Sequence, residues 1–240
     1  MKFDPPLLQG RLQRRYKRFF ADVILDSGEL VVAHCPNTGS MKNCLVKDGV
    51  CWLSESDNPK RKLKYTLEAV TAEFGGVAGV NTGRTNKLVA EALKNNRIKE
   101  LSEYSVIEPE IRFGEENSRL DFRLRRSPEA EKPADICFVE VKNLTLGLEG
   151  GLGAFPDAVT SRGAKHLREL LLARQQGYRA ALFFCVQHTG VNRATVAKDI
   201  DPTYAETLLE VTNAGVEVIV CGTRMSRKEF VIDGAIPFTF

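Results

Sequence analysis

The run Ile136-Cys137-Phe138-Val139-Glu140-Val141-Lys142 ends an apolar segment with two ionisable side chains. Successive strand residues point to opposite faces, so Ile136 and Phe138 share one side and Cys137, Val139 and Val141 the other. Both sides are apolar, which predicts an interior strand, with Glu140 and Lys142 together on one face. Charges at the end of a buried strand are costly unless paired or bound to a metal. Asp121 belongs to the preceding candidate strand, where Leu120, Phe122 and Leu124 are read as the core face. If the two strands form a hairpin, Asp121 comes beside Glu140. Two adjacent carboxylates call for a cation, and oxygen ligands favour Mg²⁺ or Mn²⁺. A neighbouring lysine orients or deprotonates a water and offsets phosphate charge, so Asp121, Glu140 and Lys142 suit metal-dependent phosphodiester hydrolysis. The same letters also allow a plain Glu140–Lys142 pair and an exposed ladder of Asp121 with Arg119 and Arg123.

The elements that must position these groups fall into two parts. Residues 1–79 read as all-β: a run from Arg14 to Leu25, a turn at Asp26-Ser27-Gly28, a returning strand Glu29–Ala33, a short strand Cys51–Leu53 and alternation from Leu63 to Thr71. Short strands in so few residues suggest a small barrel of the oligonucleotide-binding (OB) kind. Gly75-Gly76-Val77-Ala78-Gly79 breaks the pattern. Residues 80–240 read as helix (capped by Thr85, with Leu88, Val89, Ala92 and Leu93 inward), strands at 106–113, 118–126 and 135–142, helix Ser161–Gln176, strand Arg179–Gln187, helix Thr203–Ala214 and strand Val216–Cys221. Helices flanking a mixed sheet define an α/β domain, so the whole is a two-domain α+β protein.

The chain of 240 residues is nearly neutral overall, at +3. Its basic excess is concentrated early: residues 1–66 carry 12 basic and 7 acidic side chains, against 22 and 24 in the remainder. Arg11, Arg14, Arg15, Lys17 and Arg18 lie among Tyr16, Phe19 and Phe20, and Lys60, Arg61, Lys62 and Lys64 precede Tyr65. Cations interleaved with rings suit a nucleic acid; a strand edge guarded by charge is the alternative. Arg162, Lys165 and His166 crowd the start of the second helix against its macrodipole, a conflict that a bound phosphate relieves. Six cysteines without a CxxC pair read as reduced thiols, and no apolar stretch is long enough for a membrane span. Gly147, Gly150, Gly151 and Gly153 form a glycine-rich segment without a Walker signature, read as a flexible border of the site. Glu91 and Glu110 are read either as further metal ligands or as plain solvated charges.

Asp121 followed by Glu140-Val141-Lys142 resembles the PD-(D/E)xK nuclease-like superfamily, although Leu120 stands where that pattern often has Pro. Four longer blocks sharpen the resemblance: His34–Met41, Val80-Asn81-Thr82, Phe155–Gly163 and Lys165–Leu170 are similar to the sugar fermentation stimulation protein family. That resemblance implies an N-terminal OB-like barrel, a C-terminal nuclease-like domain, DNA as partner, a regulatory link to sugar catabolism and a cytoplasmic location. On this reading Arg14, Arg15, Arg18, Arg162, Lys165 and His166 contact nucleic acid, while Asp121 and Glu140 hold Mg²⁺ or Mn²⁺. A DNA-binding regulator with a vestigial nuclease fold is the alternative. No small-molecule substrate is evident, and the oligomeric state is open.

Overall fold

Alternating apolar segments separated by turn residues build the N-terminal strands β1 (Leu8–Tyr16), β2 (Phe20–Leu25), β3 (Leu30–His34), β4 (Val50–Glu55), β5 (Tyr65–Thr71) and β6 (Val77–Gly79). The structure is a computed structural model and describes residues 1–114 and 118–240. The strands pair in the order β3-β2-β1-β4-β5-β6. A parallel contact between β3 and β5, at Ala33–Tyr65 and His34–Thr66, closes the first five into an OB barrel. Leu12, Val23, Ala33, Leu53, Leu67 and Val70 fill its interior.

One sequence expectation fails here for a clear reason. Arg14–Leu25 is not one strand: residues 17–19 fold β2 back onto β1, with Tyr16 paired to Phe20. Lys17 and Arg18 hold left-handed φ values of 47° and 62° without the glycine or asparagine that usually marks such a turn.

The C-terminal part contains α1 (Thr85–Lys94), β7 (Val106–Phe113), β8 (Ser118–Arg125), β9 (Ile136–Leu144), β10 (Leu146–Gly147), β11 (Leu152–Phe155), α2 (Ser161–Gln175), β12 (Arg179–Val186), β13 (Arg193–Val196), α3 (Pro202–Asn213), β14 (Glu217–Met225), β15 (Phe230–Ala235) and β16 (Phe238–Thr239). Its main sheet runs β15-β14-β12-β9-β8-β7, so β9 is interior, parallel to β12 and antiparallel to β8. Leu88, Val89 and Ala92 of α1 pack with Cys137, Val139 and Val141 on one face. Leu167 and Leu170 of α2 and Leu208 of α3 pack with Ile136 and Phe138 on the other. The two faces of β9 are thus divided as the alternation predicts, and helices flank a mixed sheet.

Three details differ from the sequence reading. Thr85 does not cap α1; it is the first helical residue, after Arg84, and its hydroxyl accepts a hydrogen bond from Gln187 Nε2 at 3.0 Å. Leu120, Phe122 and Leu124 do not share one core: Leu120 packs beneath α2, while Phe122 and Leu124 join the α1 side. The alternation therefore breaks at Asp121. Finally, the glycine-rich segment is not a free border but part of a small sheet, β10-β11-β13-β16, with Leu146 opposite Ala154 and Gly147 opposite Gly153. Strands of two to four residues are too short to show a period.

Candidate active site

The ends of β8 and β9, the start of α1, the start of α2, β11 and a loop from the barrel surround a cavity of about 500 Å³. Asp121, Glu140, Lys142, Arg162 and His166 line it, together with Asn37, Thr82, Asn86, Asn143 and Asp157. The antiparallel register that opposes Phe122 to Val139 brings Asp121 level with Glu140. Asp121 Oδ2 accepts a hydrogen bond from Val141 N at 2.8 Å, and Oδ1 accepts one from Asn86 Nδ2 at 2.7 Å. A side chain has replaced the ladder bond at this point, which fits the broken alternation. Arg119 and Arg123 pair instead with Glu110 and Glu108, so Asp121 is no member of an exposed ladder.

Glu140 is only 2% exposed. Its Oε1 is 2.7 Å from Lys142 Nζ and is hydrogen-bonded to His166 Nδ1. Arg162 Nε donates to His166 Nε2 at 3.3 Å, so the ring proton belongs on Nδ1, where it is donated to Glu140. Among the described residues, Glu140 Oε2 is buried without a hydrogen-bond partner. Burial pushes the Glu140 carboxyl up, but the His166 hydrogen bond and the Lys142 charge outweigh it, leaving the pKa below the ordinary value. Asp121 moves the other way: burial first, then the charge of Glu140, raise it. Opposed displacements of two neighbouring acids mark a site built for charge.

Three carboxylic side chains (Asp121, Glu140 and Asp157) and two basic ones, Lys142 and Arg162, line this cavity. A phosphate would meet net negative charge there unless a metal ion shared the site. The orphaned Oε2 of Glu140 and the ionisable Asp121 are hard donors of the kind that hold Mg²⁺, which commonly binds through one or two carboxylates and keeps its remaining waters. Among the described residues, no group of three or more His, Cys, Asp and Glu side chains is arranged to hold a metal, so the candidate donors are this pair.

Of the other residues expected at a site, His166 is buried inside the cavity rather than presented on the surface of α2. Arg162 is exposed at its rim and Lys165 is half-buried. Thr160 caps α2 by accepting from Gly163 N at 3.0 Å. Arg14 is exposed and bound to Asp22 at 2.6 Å. Arg15 turns inward, and its Nη2 reaches the carbonyls of Asn37 at 2.8 Å and Gly39 at 3.0 Å. Arg18 is exposed. Glu91 and Glu110 lie outside the site: Glu91 pairs with the Met1 amino group, and Glu110 with Arg119.

Sequence reasoning missed Asn86, Asn37 and Asp157. An asparagine in the first turn of a helix, where it adds little to helix stability, was the available signal for Asn86. Asp157 is held by Ser40 Oγ at 2.9 Å and Met41 N at 3.1 Å, contacts between residues more than a hundred positions apart.

Two family models match the chain: "Sugar fermentation stimulation protein RE domain" over residues 83–229 and "SfsA N-terminal OB domain" over 14–80. The sugar fermentation stimulation protein homolog of Teredinibacter turnerae is 54% identical over 237 residues, covering 99% of each chain. That of Saccharophagus degradans is 50% identical over 232 residues, covering 97% of each. Among solved structures, SfsA of Pyrococcus furiosus in complex with Ca²⁺ matches with a TM-score of 0.86 at 26% identity, over 100% of this chain and 98% of that one.

Proposed function

We propose, from the premise that this chain belongs to the sugar fermentation stimulation protein family, that it is a cytoplasmic DNA-binding protein with a divalent-metal phosphodiesterase centre. The observation that carries this reading is the buried, unpartnered Oε2 of Glu140 in a cavity shared with Asp121 and Lys142. Asp121 and Glu140 would hold Mg²⁺ or Mn²⁺, and the Ca²⁺ named for the Pyrococcus furiosus relative is a cation of the same oxygen-seeking class. A divalent ion here supplies Lewis-acid charge to the phosphoryl oxygens.

The chain's own residues do the rest. Lys142 Nζ orients the attacking water and offsets charge on the scissile phosphate. His166 fixes the Glu140 carboxylate through Nδ1–H, and Arg162 holds the His166 tautomer while reaching toward the phosphate. Asn86 and the Val141 amide fix Asp121. Arg14, Arg18 and the basic loop around Lys60–Lys64 supply sequence-independent phosphate contacts, and DNA binding is the proposed basis of a regulatory link to sugar catabolism. Among the described residues, no helix is long and apolar enough to cross a membrane.

The test is cleavage of plasmid and single-stranded DNA in Mg²⁺ or Mn²⁺. Glu140→Gln and Asp121→Asn are expected to lower the rate by at least about a hundredfold, typical for loss of a transition-state contact. DNA binding with no metal-dependent cleavage by the wild type would favour the second reading, a regulator that retains a nuclease fold without its chemistry. The sharing of Glu140 Oε1 between Lys142 and His166 is the observation on that side.

A further inference from the structure

The three-residue turn between β1 and β2 has an unusual composition for its shape. Left-handed backbone at two successive positions is ordinarily given to glycine or asparagine, because a Cβ crowds the carbonyl oxygen there. Here the positions hold Lys17 at φ 47° and Arg18 at φ 62°, followed by Phe19, whose large apolar side chain is 48% exposed. Lys17 and Arg18 are exposed, and neither side chain joins a hydrogen bond or ion pair among the described residues. Folding gains nothing evident from this choice. Strained backbone that carries free cations and a free ring points to a ligand.

The turn is also joined to the cavity. Cys35 N donates to Phe19 O at 2.7 Å, and Arg15 Nη2 spans Arg18 O, Asn37 O and Gly39 O. Asn37 lines the cavity, and Ser40 and Met41 farther along the same loop bind Asp157, which lines it too. The barrel loop therefore forms part of the wall of the cavity that Asp121, Glu140 and Asp157 line, and Glu140 is only 2% exposed. An exposed ring flanked by cations suits unstacked bases and their phosphates, which a single strand presents and a stacked duplex does not. The cavity volume suits one ligand of small-molecule size, such as a single nucleotide.

Resting on the proposed nuclease reading, we infer that the substrate is single-stranded DNA, led by the Lys17-Arg18-Phe19 turn past Asn37 into the cavity. Phe19 stacks on a base, and Lys17 and Arg18 contact the flanking phosphates. Arg15 is the positioning residue that keeps turn and cavity wall in line.

The test uses fluorescence anisotropy in EDTA, with a labelled single strand longer than the roughly 16 nucleotides one OB fold can cover, and the matching duplex. The wild type is expected to prefer the single strand by at least about tenfold. Lys17→Asn combined with Arg18→Gly restores ordinary turn chemistry, so Tm should be equal or higher. Single-strand affinity should nonetheless fall, and the slope of log affinity against log salt should shrink by about 1.4, roughly 0.7 per phosphate contact. Phe19→Ala should weaken single-strand binding by about tenfold without altering that slope. Equal affinity for duplex and single strand, or variants that bind like the wild type, would overturn this inference while leaving the DNA-binding reading intact. A wild type that binds neither would overturn both.

Discussion

Asp121 and Glu140 share a cavity but are held by different neighbours, and that difference moves their pKa values in opposite directions. Burial and the Glu140 charge raise Asp121 above its usual 3.8, whereas His166 and Lys142 keep Glu140 below its usual 4.5. A raised carboxylate contributes stability while protonated and loses it as pH rises through its folded pKa, so metal-free protein carries a cost at neutral pH. A divalent ion held by Asp121, as proposed above, would offset that cost only while Asp121 is ionised. The rise in Tm given by Mn²⁺ is therefore expected to shrink as pH falls from neutrality into the carboxylate range; a constant rise would contradict the assignment. Asn86→Ala removes a hydrogen bond that lowers the Asp121 pKa, so its Mn²⁺ titration should shift to higher pH.

Elements are tied together by a second buried carboxylate that lies outside the cavity lining. Glu68 on β5 is fully buried and accepts from Ser54 Oγ at 2.6 Å, Asn81 Nδ2 at 2.9 Å, and Arg84 Nε and Nη2 at 2.6 Å each. Asn81 and Arg84 bracket the 3₁₀ turn Thr82–Arg84 that leads into α1 and delivers Asn86 to Asp121. The barrel thus sets the direction of α1 through one carboxylate. Removing one partner of a buried pair strands the other, so Glu68→Ala should cost about 3–5 kcal/mol in chemical denaturation. A loss below about 1 kcal/mol would show the network to be incidental, as exposed pairs commonly are. Alternation along β5 made Glu68 look like one member of a polar face, yet Thr66 through Val70 are all buried. A barrel strand whose outer face is covered by α1 and its lead-in has no solvent side.

At the scale of the whole molecule, the barrel and the C-terminal part share main-chain hydrogen bonds as well as a core. Gly79 N donates to Gln187 O at 2.8 Å and Thr189 N to Val77 O at 3.0 Å, so residues 187–189 run along β6. Trp52 of the barrel packs near Phe230 of β15. His188 lies in this seam, 3% exposed, with Nδ1 accepting from Gly190 N and Nε2 buried without a partner. Burial lowers its pKa below 6.5. The native state therefore favours neutral His188: its contribution is present above 6.5 and is lost as pH falls through the depressed folded value. Denaturation midpoints should drop on acidification below neutrality, and His188→Gln should flatten that slope even if it lowers the starting stability. An unchanged slope would exclude His188 as the sensitive group.

How much of this was legible in the chain depends on the range of the signal. The period-two pattern of Ile136–Lys142 identified β9, its interior place and the shared face of Glu140 and Lys142, because strand alternation is a local property of neighbouring residues. Helices α1, α2 and α3 were legible to within about two residues from apolar spacing and stop signals. The OB barrel was legible only as a set of short strands. Its closure depends on β3 meeting β5, a contact no local pattern encodes. The same holds for the site. Sequence by itself singled out Asp121, Glu140 and Lys142 as groups able to meet, and they line one cavity. Only tertiary structure decided that Asn86 and Asn37 join them, that His166 turns inward to Glu140, and that Glu91 and Glu110 do not take part. The physical reason is that a cavity is made where separate elements leave space between them, and that space depends on long-range packing rather than on the order of residues along one strand.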